Sequence, residues 1–82
     1  MTSLTIFVDG RQYASAKELH LALKMLLNLP EHYGCNADAL YDCLSERVDP
    51  ANLVVTNDGE GEVAAALAKV RRVFADCGGE VK

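Results

Sequence analysis

The stretch Leu29-Pro-Glu-His-Tyr-Gly-Cys-Asn-Ala-Asp-Ala-Leu-Tyr-Asp-Cys-Leu44 decides the reading of this 82-residue chain. Its first half, from Pro30 to Asn36, reads as a loop in which Gly34 is free to take the positive φ of a tight corner. Asn36 is a favoured helix N-cap, because its side-chain oxygen can accept a hydrogen bond from an amide of the first turn. The helix predicted from Ala37 to about Arg47 turns Ala37, Leu40, Tyr41 and Leu44 inward at i, i+3, i+4 and i+7. Asp38, Asp42 and Glu46 recur every four residues and so share one side as an acidic ridge, with Asp38 also in the first turn, where the helix dipole favours an anion. Like charges at this spacing repel by a few tenths of a kcal/mol per pair. A cationic partner would offset that cost, and a plain solvated helix face is the other reading.

The charge distribution sharpens the point. Met25 to Glu46 holds four carboxylates, Glu31, Asp38, Asp42 and Glu46, and no Lys or Arg, while the other residues balance eight acids with eight bases. The net charge of −4 therefore belongs to one face of an otherwise neutral body. Direct nucleic-acid binding is disfavoured, since the one basic cluster, Lys69 with Arg71 and Arg72, is small. No HExxH, CxxC or phosphate-loop pattern is present, and Asp38, Asp42 and His32 fall short of the usual metal-ligand count, so neither catalysis nor a metal or other cofactor is expected. Three cysteines, Cys35, Cys43 and Cys77, form an odd set without close spacing and fit reduced thiols. Residues 1–8 lack the basic region and cleavage site of a secretory signal, and no apolar run is long enough to span a bilayer, so a cytoplasmic chain without membrane contact is expected.

Outward from the central stretch, helices and strands alternate. Upstream, Ser15 and Glu18 make a capping box for a helix whose stripe is Leu19, Ala22, Leu23, Leu26 and Leu27 and which stops before Pro30. His20 on that helix reads as structural, and Tyr33 and Tyr41 read as core aromatics. Leu4 to Val8 is a buried strand closed by Asp9-Gly10. Downstream, Asp49-Pro50 closes the acidic helix, Leu53 to Thr56 is a second buried strand, and Asn57-Asp58-Gly59 is its turn. A last helix from about Glu62 to Cys77 carries Val63, Leu67, Val70, Phe74 and Cys77 on one side, with Gly78-Gly79 as its stop. Residues 80–82 are at most a stub of strand. The pattern predicts one α/β domain over residues 1–82, with a small parallel β-sheet of two to three strands, about three helices and a right-handed crossover.

The central stretch also resembles the barstar family of ribonuclease inhibitors, whose pattern is close to L-P-E-x-Y-G-x-N-x-D-A-L-x-D-C-L. The match covers Leu29, Pro30, Glu31, Tyr33, Gly34, Asn36, Asp38, Ala39, Leu40, Asp42, Cys43 and Leu44. The resemblance implies a barstar-like fold and a protein that plugs the active site of a basic ribonuclease, inside the cell that makes it, with an acidic helix and the preceding loop. It makes Asp42 the principal anchor, standing in for a substrate phosphate, and Asp38 the second acidic contact. His32 stands where the family presents a tyrosine, Gly34, Asn36 and Ala37 form the loop and helix start, and Ser45 replaces a threonine beside Glu46. Arg47 occupies the place of an interface tryptophan, and Asp76 stands in for a further acid from the last helix. The partner implied is a basic ribonuclease or nuclease toxin, and the free protein is expected to be monomeric. An immunity protein for another toxin, or an acidic-ridge adaptor for a basic protein without nuclease activity, remains the alternative.

Overall fold

The fold is described by a computed structural model covering residues 4–47 and 49–82. Strand β1 (Leu4–Asp9) leads through a single 3-10 turn (Gly10–Gln12) into α1 (Ala16–Leu27), then α2 (Ala37–Ser45), β2 (Ala51–Asn57) and α3 (Gly61–Asp76). β1 and β2 pair in parallel, Leu4 opposite Ala51 and Ile6 opposite Leu53. The C-terminal stub adds a third line of backbone to the far edge of β2. Val81 bridges Leu53, and the Leu53 amide donates to the Glu80 carbonyl at 2.8 Å while Lys82 N donates to the Leu53 carbonyl at 2.9 Å. The α/β architecture with a small parallel sheet and three helices is as the sequence predicts.

Helix boundaries follow local chemistry. Ser15 Oγ accepts from Glu18 N at 3.2 Å, and the Glu18 carboxylate reaches back to Ala14 N at 2.9 Å, one residue earlier than the usual capping box. Asn28 takes the left-handed conformation (φ 54°) that closes α1, and Leu29 N returns to the Lys24 carbonyl at 2.9 Å. α3 ends in the same way, with Gly78 at φ 88° and Gly79 N donating to the Phe74 carbonyl at 2.9 Å. α2 stops at Ser45, short of Arg47, because Pro50 lies close ahead.

The core is built from Ile6, Val8 and Leu53 of the sheet, Leu19, Leu23 and Leu27 of α1, Leu40 and Leu44 of α2, and the stripe Val63, Leu67, Val70, Val73 and Phe74 of α3. Three side-chain expectations are corrected. β1 is half-buried rather than buried, since alternate residues face opposite ways and Phe7 is 66% exposed. Leu26 and Tyr41 are each 45% exposed, because Leu23 with Leu27, and Leu40 with Leu44, already fill the inward face of their helices.

One contact makes the third line of backbone possible. A β-carbon on Gly79 would collide with the Ala51 carbonyl at the start of β2, so only glycine lets the chain leave α3 close enough to pair. Gly79→Ala is therefore expected to cost about 1–3 kcal/mol, read as a lower urea midpoint with loss of amide protection at Lys82. An unchanged midpoint would show that the tail does not depend on that close approach.

Candidate partner-binding face

The loop between α1 and α2 is fixed from beneath by Tyr33. Its ring is buried, and its hydroxyl meets Nδ1 of the buried His20 at 2.7 Å and lies 3.5 Å from the Asn36 carbonyl oxygen. Burial pushes the Tyr33 phenol far above its ordinary range, so it stays protonated, and burial also holds the His20 imidazole below its usual value. Above this pair the chain reverses at Cys35, which takes the positive φ (55°) expected of Gly34. Gly34 has no positive φ, and a β-carbon there would lie 3.3 Å from Asn36 Nδ2, a tight contact with a side chain, and at ordinary van der Waals distance, 3.5 Å, from Ala39 Cβ. Asn36 then caps α2, its Oδ1 accepting from Ala39 N at 2.8 Å and its Nδ2 donating to the Gly34 carbonyl at 3.2 Å.

This arrangement sets the acidic side chains in two grooves. His32, Gly34, Asp42, Glu46 and Arg47 line a concavity between the loop and α2. Asn36, Ala37 and Asp38 line a second one, shared with Glu62 and Lys69 of α3 and floored in part by His20. Ser45 and Asp76 line neither. Ser45 Oγ donates to the Asp42 carbonyl at 3.0 Å, back onto its own helix, and Asp76 is 3.9 Å from Arg72 one turn earlier on α3.

The ridge is set apart by the absence of internal partners. Among the described residues, Asp38, Asp42 and Glu46 have no cation within 4.0 Å, whereas Glu31 meets Lys24 at 3.4 Å and Asp58 meets Arg71. Glu31 thus has a nearby cation that the sequence count did not show, although its carboxylate stays fully exposed. Arg47 shares the groove with Asp42 and Glu46, yet its Nε donates at 3.2 Å to the backbone carbonyl of Asp49. Among the described residues, three carboxylates, Asp38, Asp42 and Glu46, thus stand exposed on α2 and its C-cap without an internal cation. Such an arrangement suits a large complementary surface, and among the described residues no three His, Cys, Asp or Glu side chains gather as a metal would require.

The sequence matches, over residues 3–82, the family model described as Barstar (barnase inhibitor). The chain belongs to the barstar family. A protein of Bacillus subtilis (strain 168) with the printed name "Putative ribonuclease inhibitor YrdF" is 47% identical over 53 residues, which are 63% of this chain and 58% of that protein. The match therefore spans under two thirds of the relative's own length. The matched residues take in the whole of the loop and α2 described above.

Tyr41 is a residue the sequence assigned to the core and the structure returns to the surface. It lies next to Asp42 and one turn from both Asp38 and Ser45, so a half-exposed aromatic ring flanks the ridge.

Because folded His20 resists protonation and the unfolded chain does not, the unfolded state binds more protons as pH falls below the ordinary histidine range. Stability is expected to be full above about pH 6.5 and to decline toward pH 5. His20→Gln keeps a polar partner for Tyr33 and should flatten that decline in urea denaturation; an equal slope in both proteins would remove His20 as its source.

Proposed function

We propose that this barstar-family chain is a protein inhibitor of a small basic ribonuclease, and that the α1–α2 loop and α2 enter the enzyme's cleft. A ribonuclease must offer cations to hold a polyanion, and carboxylates without internal partners are what such a cleft can accept. The observation that carries the reading is Asp42. It matches the family's motif, sits in the groove beside His32 and Gly34, and has no cation of its own among the described residues.

The roles divide by position. Asp42 is the anchor that takes the place of a substrate phosphate, and Asp38, one turn earlier on the other groove, is the second acidic contact. His32, Gly34, Asn36 and Ala37 shape the loop edge, while Ser45, Glu46 and Arg47 border the far end. Tyr41 joins them as a rigid aromatic flank, a residue type that often anchors interfaces. Asp76 contributes only if its contact with Arg72 opens. The inhibitor supplies position and charge and performs no chemistry. Protecting the RNA of the cell that makes the enzyme places it in the cytoplasm.

Arg47 on the rim of the Asp42 groove fits a nuclease toxin that carries an acid at its rim as well as it fits a barnase-type ribonuclease. The protein would then act as an immunity protein through the same face.

Two outcomes test the assignment. Asp42→Ala should weaken inhibition of the target ribonuclease at least about thirtyfold, the equivalent of about 2 kcal/mol, while Glu46→Ala changes it only a few-fold; the general magnitude for such anchors rests partly on the barnase and barstar pair itself. Equal losses would remove Asp42 from the anchor role. The association rate should also fall as ionic strength rises from about 0.01 to 0.15 M, because steering by the ridge is screened. A rate indifferent to salt would place the contact elsewhere.

A further inference from the structure

The sequence groups Lys69, Arg71 and Arg72 as one small basic cluster, but the structure separates them. Arg71 meets Asp58 in the turn after β2, and Arg72 lies 3.9 Å from Asp76. Lys69 has no carboxylate within 4.0 Å among the described residues. It lines the groove that runs between α3 and the first turn of α2, together with Asp38 and Glu62. The floor between them is small and apolar, with Ala37, Ala65 and Ala66. A free ammonium thus shares the groove with Asp38, on a face whose other exposed charges near α2 are mostly negative.

Nothing inside the protein calls for a cation there. Lys69 is exposed on α3, outside the buried stripe of Val63, Leu67, Val70, Val73 and Phe74, so the fold gains no core packing from it. Asp38 and Glu62 each lie in the first turn of their own helix, where the dipole already stabilises them. An ammonium on the rim of a contact surface acts on approach and on partner choice more than on the strength of the final complex. Continuity supplies the occupant, since Asn36 and Asp38 belong both to this groove and to the proposed inhibitory face.

We propose that Lys69 is a specificity-determining residue of that face: it favours a nuclease that brings a carboxylate beside Asp38 and penalises one that brings a cation. This rests on the inhibitor reading above. Paired with Arg47 at the other end of α2, it turns a uniformly acidic ridge into a patterned one, with anions in the centre and a cation toward each end. Such a pattern rejects basic proteins that merely match the ridge, because like charges brought together on docking are penalised.

The test uses the full-length protein and a barnase-type ribonuclease as probe, with association rates measured by stopped flow for the wild type, Lys69→Gln, Lys69→Glu and Asp42→Ala. Against an enzyme whose cleft is ringed with cations, the rate should rise in the order Lys, Gln, Glu, by about fivefold from end to end at low salt, and the differences should shrink at high salt. Equal rates across the Lys69 series, or the reverse order, with Asp42→Ala still impaired, would overturn this inference and leave the inhibitor reading standing. Binding undiminished in Asp42→Ala would overturn the inhibitor reading itself. Absence of binding by all four proteins would overturn both for this class of enzyme, since Lys69→Glu removes the cation held to exclude it.

Discussion

The buried hydroxyl of Tyr33 is the constraint on which the binding face depends. It sits between a ring nitrogen of His20 on α1 and the carbonyl of Asn36 at the start of α2, so one phenol ties the end of the loop to two helices. A buried hydroxyl without a partner costs roughly 1–3 kcal/mol, so the loop is held where both partners are met. From that point the remaining geometry follows in steps. Cys35 turns the chain, Gly34 lies flat against the first turn of α2, and Asn36 caps the helix that carries Asp38 and Asp42. The acids are therefore aimed by contacts that lie beneath them and contain no charge.

The sheet and core serve the same end at longer range. Two parallel strands and a bridged tail make a narrow platform; α3 packs on β2 and against both other helices, and the buried residues form one core. The opposite face remains open, with Phe7 exposed at its centre, which explains why the strands alternate where the sequence suggested continuous burial. The platform is small for a parallel sheet, which usually has both faces covered. The close approach at Gly79 lets the tail pair with β2 and widens the platform by one line of backbone.

Element types were legible in the sequence wherever a short-range rule was decisive: the Ser15 cap, the Asn36 cap and the glycine stop of α3 all stand as read. What could not be read was any choice set by a neighbour distant in sequence. Tyr41 and Leu26 satisfy the helical period, but other side chains had already filled the core. Positive φ went to Cys35 and not to Gly34, a choice that periodicity does not encode. The same holds for charge. Glu31 counted as an acid without a nearby cation until Lys24 reached it, and Lys69 counted as part of a basic cluster until its two neighbours found other acids. The motif located the candidate site, while the pattern of free and occupied charges around it is a property of the fold.

The account turns on one surface, formed by the loop and α2, meeting a cationic cleft. Its most direct test is an amide chemical-shift map of the isotope-labelled protein on addition of a barnase-type ribonuclease at equal concentration. Perturbations should concentrate between His32 and Arg47 and reach the middle of α3 near Lys69, with the exposed strand face around Phe7 unchanged. Perturbations centred on Phe7 and β1 would contradict that placement.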